Sequence, residues 1–240
     1  MEPRRRPLFF SRGPSRKLIF VDLQQKIEQL YQEALGLRTK GRLQEADRVE
    51  AETAKLLENL KEQVQQNPAA PETAGALLFL AEREWSIRGD EVSIQSMIEQ
   101  AIRIREKSLG AENPTVAEPL CALAEFHFLA GRWGEAEPLY RRAVKLCEKD
   151  QKQSVYAKCC AGLAQTLAYL GREAEADPYF AKAIELCQGS EKDKRVLYFL
   201  YIYRAQGLDK AGRGPEAEAS RSAALKLLPS ANPGEQGFHV

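Results

Sequence analysis

The sequence predicts an all-α protein: a right-handed superhelical solenoid of about five antiparallel helix hairpins. Three observations predict it. A glycine, usually followed by Arg and then by Ala five residues after the Gly, recurs at Gly41-Arg42…Ala46, Gly131-Arg132…Ala136, Gly171-Arg172…Ala176 and Gly212-Arg213…Ala217, with a degenerate copy at Gly89-Asp90…Ile94. The glycines are spaced by 48, 42, 40 and 41 residues, within the range of stacked helical repeats. Between them apolar residues fall three and four apart, the period of a helix face, and no β-branched alternation marks a strand.

Each unit reads as two amphipathic helices joined at the glycine, which can take the positive φ that ends a helix. Seven residues before the Gly stand Ala34, Ala124, Ala164 and Ala205, and in the second copy Ala81 stands eight before. Twelve after it stand Thr53, Ala101, Ala143, Ala183 and Ala224, small residues that let paired helices approach. Nine after it stand Glu50, Ile98, Tyr140, Phe180 and Arg221, where an aromatic fills the space beside the small residues. In the third unit Leu120, Leu123, Ala124, Phe126 and His127 face inward, answered by Leu139, Tyr140, Ala143, Val144 and Cys147.

The elements follow in order. Residues 1–17 carry six basic side chains against the single acid Glu2, with three prolines, and are expected to be a disordered basic arm. Arg4-Arg5-Arg6 has no interleaved aromatics, so it is read as a solubilising arm rather than an RNA or lipid contact. An Arg/Ser-rich, acid-poor start also fits an organellar transit peptide, although Pro3, Pro7, Gly13 and Pro14 break an amphipathic helix there. Helices near 18–39 and 42–65 form a divergent N-terminal hairpin, 18–66, with Glu33, Glu50 and Thr53 at signature positions, read as a cap. Asn67–Pro71 is a linker. Repeats then occupy 67–228, with helices near 71–88, 90–107, 115–130, 133–149, 153–170, 173–188, 192–211 and 214–228. Asn113-Pro114 opens the fifth helix, and Pro138 and Pro178 fall near the starts of second helices, where a missing N–H costs little. Residues 229–240, rich in Pro, Gly and Asn, are a flexible tail.

Composition excludes several functions. Lys+Arg is 35 and Asp+Glu 34 in 240 residues, so no global charge draws the chain to nucleic acid or anionic membrane. No apolar run is long enough for a membrane span. The cysteines Cys121, Cys147, Cys159, Cys160 and Cys187 are odd in number and show no CxxC spacing. They are read as small core residues of a reducing compartment, and the chain as cytoplasmic. His127 lacks any partner at ligand spacing and is read as a core histidine. No Gly-rich phosphate loop, serine nucleophile elbow or catalytic carboxylate pair occurs, so neither enzyme activity nor a cofactor or metal is expected.

The repeat resembles the tetratricopeptide repeat, and its 40–42-residue interval resembles the kinesin-light-chain-type subclass. The match is clearest in Ser108-Leu109-Gly110-Ala111-Glu112-Asn113-Pro114-Thr115-Val116-Ala117, then Leu120, Leu123-Ala124, Ala130-Gly131-Arg132-Trp133 and Glu135-Ala136-Glu137-Pro138-Leu139-Tyr140. It is strongest over 108–188, weaker over 72–107 and 189–228, and faintest over 18–66. The paired asparagines that hold a peptide backbone in that family are replaced by Cys121-Ala122 and Ala161-Gly162. Cys121 and Glu125 stand where a basic carboxylate clamp is expected, so no chaperone-tail function carries over.

A stacked solenoid makes an extended concave surface without catalytic residues, so the expected function is a protein–protein interaction scaffold or adaptor that holds a peptide or helix of a partner in the concave groove. By register the groove residues are Glu82, Trp85, Glu125, Phe128, Lys158, Gln165, Tyr169, Phe199, Tyr203, Gln206 and Lys210. Aromatics with amides and charges suit a peptide groove, while Trp85, Phe128 and Tyr169 equally suit packing between hairpins. Trp133, next to a turn glycine, is read as packing. Tyr198–Tyr203 is apolar around the whole helix and is expected to be buried between the fourth and fifth hairpins; exposure would mark a partner or self-association surface. The alternative function is a structural subunit or assembly factor held in a larger complex or self-associated.

Overall fold

The computed structural model describes residues 16–86, 89–149, 153–188 and 194–227. The expected tail and all but Arg16 and Lys17 of the expected basic arm lie outside the described residues. Ten α-helices and no strand are present among them: α1 (Arg16–Thr39), α2 (Leu43–Gln66), α3 (Thr73–Ser86), α4 (Glu91–Leu109), α5 (Ala117–Leu129), α6 (Trp133–Cys147), α7 (Gln153–Tyr169), α8 (Glu173–Cys187), α9 (Lys194–Lys210) and α10 (Gly214–Leu225). The all-α fold of paired helices is the one that the repeat spacing predicts. The chain forms two compact units, divided between Ile104 and Arg105 within α4.

In the first unit α1 pairs with α2. Phe20 and Ile27 of α1, Leu60 and Val64 of α2, Leu77 and Leu80 of α3, and Ala101 and Ile104 of α4 share one buried cluster. In the second unit α5–α6, α7–α8 and α9–α10 are hairpins, and each packs on the next. The first helices are also neighbours, α5 beside α7 and α7 beside α9. Asn113 opens the first hairpin of this unit. Its side-chain oxygen accepts from the Thr115 N–H at 3.0 Å and the Thr115 hydroxyl at 2.7 Å, capping a short 3-10 turn, Pro114–Val116, that leads into α5.

The turn glycines act by backbone shape. Gly41, Gly131, Gly171 and Gly212 have φ of 73 to 74°, and a side chain there would meet no neighbouring atom, so conformation alone selects glycine. Each turn closes in the same way. At the fourth hairpin, Gly171 N–H donates to Ala168 C=O and Arg172 N–H to Leu167 C=O, the paired bonds of a Schellman cap. Gly89 departs from this scheme: it is not among the positive-φ glycines. A Cβ there would come within 2.9 Å of the Glu84 carbonyl oxygen, so close backbone approach selects glycine instead.

The arginine after the glycine has a partner that periodicity alone did not reveal. Arg172 reaches Glu175 in its own helix at 2.7 Å and both oxygens of Glu137 in the preceding hairpin at 2.8 Å. Arg213 repeats the arrangement, reaching Glu216 and, at 2.7 Å, Asp177, which also accepts from Arg204 at 2.6 Å. In the second copy Asp90 replaces the arginine and accepts instead from the Ser93 N–H at 2.7 Å, an N-cap. Pro138 and Pro178 stand inside α6 and α8, beyond the first turn expected for them. Each therefore removes one i to i−4 bond; both prolines are exposed, so solvent can satisfy the freed carbonyl.

Two outcomes follow from this geometry. Gly171→Ala should lose about 1 kcal/mol in urea unfolding, the cost of a left-handed non-glycine residue. Burial raises the Asp177 carboxyl, but hydrogen bonds from Arg204 and Arg213 outweigh it and hold the group below its ordinary value. Its stabilisation is therefore present above the ordinary aspartate range and lost as pH falls through the depressed folded value. Asp177→Asn should lower stability at neutral pH and flatten the decline between about pH 5 and pH 2, measured by thermal melts across that range.

Candidate functional site

The expected groove residues divide between the units. Glu82 and Trp85 lie on α3 of the first unit, both exposed. The other nine lie on the first helices of the second unit: Glu125 and Phe128 on α5, Lys158, Gln165 and Tyr169 on α7, and Phe199, Tyr203, Gln206 and Lys210 on α9.

On α5 and α7 these side chains meet. Lys158 bridges to Glu125 at 2.7 Å. Phe128 stands edge-on to Tyr169, with ring centroids 5.4 Å apart. Trp133, expected as packing, does pack, and its partner is Tyr169, at 4.9 Å. Tyr169 is thus flanked by two rings yet remains 57% exposed. Leu129 and Leu170, the neighbours in sequence, are exposed as well. Neither was legible as a site residue, because by register each falls one position past Phe128 or Tyr169, about 100° round the helix from the groove residues. Gln165 is half-buried between the charged and aromatic ends.

α9 corrects the expectation of full burial for Tyr198–Tyr203. Leu200 is buried, as is Leu197 just before the segment, but Phe199 is 43% and Tyr203 37% exposed. Their rings stack at 6.4 Å, and the Arg195 guanidinium lies 6.0 Å from the Phe199 centroid. The neighbouring hairpins cover only the opposite face of the helix. Gln206 is exposed, and Lys210 approaches Glu173 of α8 at 3.6 Å.

The missing asparagine on α7 has a steric cause. Tyr140 of α6, buried in the core, lays its ring against Gly162, and a Cβ there would lie 2.3 Å from a ring carbon. No side chain fits without displacing that ring. Burial also raises the Tyr140 phenol well above its ordinary value, so the group stays neutral. Gly162→Ala should lose about 1–3 kcal/mol by overpacking. Tyr140→Leu in the same chain should return part of that loss in a denaturant-based double-mutant cycle.

The remaining candidates behave as core. All five cysteines are buried and unpaired by disulfides. Burial pushes the Cys160 thiol up to about 12, and hydrogen bonds with Cys121 and Cys147 raise Cys159 further. Such thiols are poor nucleophiles. His127 is buried, and its Nδ1 accepts from Arg132 Nε at 3.0 Å. No group of three metal-ligating side chains is found among the described residues. A cavity of about 440 Å³ lies apart from the expected groove residues, walled by Val144, Tyr156, Cys160 and Tyr179 with Arg141 and Lys182. No helix among the described residues is long and apolar enough to cross a membrane.

These hairpins define an α-helical repeat protein whose first-helix face mixes aromatics, amides and charges. Tetratricopeptide repeat models match residues 72–149 and 157–189, so the chain contains tetratricopeptide repeats over those residues. None of the curated protein sequences compared with it matches. Among solved structures it is similar to BtubC (BKLC) from P. vanneervenii, at 17% identity and TM-score 0.64, covering 95% of this chain and 98% of that one. It is also similar to kinesin light chain nearly identical TPR-like repeats from Podosopora anserina, at 19% identity and TM-score 0.57, covering 85% and 95%. MamA shares the fold at 18% identity and TM-score 0.53, covering 81% and 93%. The expected likeness to kinesin-light-chain-type repeats is therefore met at the level of fold, one typical of protein–protein interaction scaffolds.

Proposed function

We propose that this chain is a non-enzymatic adaptor that binds a segment of a partner protein on the first-helix face of its second unit. The observation that carries the reading is Tyr169, held between Phe128 and Trp133 yet more than half exposed. A ring fixed by its neighbours presents apolar area to a partner at small entropic cost. The Glu125–Lys158 pair and Gln165 supply polar contacts beside it. With Gly162 barring the amide used elsewhere in the family, side-chain anchors rather than an asparagine pair would hold the partner.

The double variant Phe128→Ala/Tyr169→Ala should recover the partner at least tenfold less in affinity purification from native lysate, quantified by mass spectrometry, with helicity unchanged. Equal recovery removes this face from the reading. The alternative, a subunit held in a larger complex or self-associated, is favoured by the exposed rings of α9. Light scattering of the purified chain separates the two, a monomer favouring the adaptor.

A further inference from the structure

The exposed side of α9 is a single stripe. At 100° per residue, Arg195, Phe199, Tyr203, Gln206 and Lys210 fall within an arc of about 80°, while Leu197, Leu200 and Leu208 are buried on the other side. The stripe has a basic residue at each end, two stacked rings between them, and no carboxylate of its own. Asp209, at its margin, is engaged by Arg221 at 2.6 Å. The neighbouring acid Glu173 meets Lys210 only loosely, at 3.6 Å, and the Lys210 side chain remains 64% exposed.

We propose that this stripe is a docking surface for an acidic amphipathic helix of a partner protein. Two apolar side chains one turn apart would cover Phe199 and Tyr203, and carboxylates near the two ends would face Arg195 and Lys210. Those two positions lie about 22 Å apart along the axis, so the partner helix needs roughly four turns. Charge decides against a second copy as the occupant. A closed dimer sets the stripe against itself in antiparallel sense, which places Arg195 over Lys210, like against like. An acidic helix instead meets both cations while covering the same apolar area. The inference deepens the adaptor reading and rests on it for this face being one of recognition.

The test is selection of a phage-displayed library of helical peptides, about 15 residues long, on the full chain. The enriched peptides should be acidic, with aliphatic or aromatic residues at i and i+4. Their affinity, measured by fluorescence anisotropy, should fall at least tenfold with Phe199→Ala/Tyr203→Ala and weaken with salt. Arg195→Glu/Lys210→Glu should turn the enrichment from acidic to basic peptides, with circular dichroism and melting temperature confirming intact folding. No enrichment, enrichment without acidic bias, or clones that bind the α9 variants as well as the wild type would each overturn the proposal. The adaptor reading fails separately: its own variants lie on α5 and α7, so loss of native partner recovery there with no acidic binding at α9 sinks only the present inference. Acidic binding at α9 with unchanged native recovery sinks only the placement of the partner on α5 and α7.

Discussion

Everything in this fold depends on the chain reversing cleanly at four glycines held near φ of 73 to 74°. A helix ends with unpaired carbonyls, and a left-handed residue lets the next two N–H groups turn back to satisfy them. An ordinary residue pays to adopt that conformation, so the turn is both a structural joint and the strongest mark in the sequence. Because each turn closes with the same two bonds, each second helix returns along its first in the same way. The small residues seven before and twelve after the glycine then fall inside the hairpin, where Ala124 and Ala143 are fully buried.

The turn also carries the coupling between repeats. An arginine directly after the glycine cannot cap the new helix through its own side chain, and in α2, α6, α8 and α10 it does not. Before α2, α8 and α10 it forks onto an acid in the first turn instead, where a carboxylate is also favoured by the helix dipole, whereas Arg132 before α6 donates to His127. In the last two hairpins it has enough donors left to reach the preceding hairpin at Glu137 or Asp177. These pairs join segments roughly 35 residues apart in sequence, and their acids are the least exposed members. Register between hairpins is thus set by directional bonds as well as by apolar packing, which alone tolerates sliding.

Most of the fold was legible because both of its determinants are local. Glycine placement and helix periodicity depend on residues a few positions apart, and they located the ten helices to within a few residues. What was not legible depends on groups that meet only after folding. The Arg172–Glu137 and Arg213–Asp177 pairs are separated by 35 and 36 residues, and no periodicity announces them. Phe199 and Tyr203 were placed in the groove by register, yet burial was expected of the segment that holds them, for a related reason. Six apolar residues in a row look buried on every side, yet neighbouring helices can cover only part of a helix circumference. Leu129 and Leu170 were missed because each lies about 100° round the helix from Phe128 or Tyr169, off the face that register assigns to the groove. Gly162 could be seen as a departure from the family pattern, but its cause, the Tyr140 ring, comes from another helix.

The departure at Gly162 also shapes what recognition can look like here. An asparagine on the first helix binds a peptide through its backbone, and is therefore largely indifferent to the peptide's sequence. Once Tyr140 fills that space, the proposed interaction face is left with rings, the amides of Gln165 and Gln206, an ion pair and the cations of α9. Contacts of those kinds read side chains. Aromatic anchors ask for apolar partners at a defined spacing, and exposed cations ask for carboxylates. Core packing that excludes one small amide would thereby move selectivity from the partner's backbone to its sequence. The same tyrosine that completes the third hairpin would also narrow the range of partners the surface accepts.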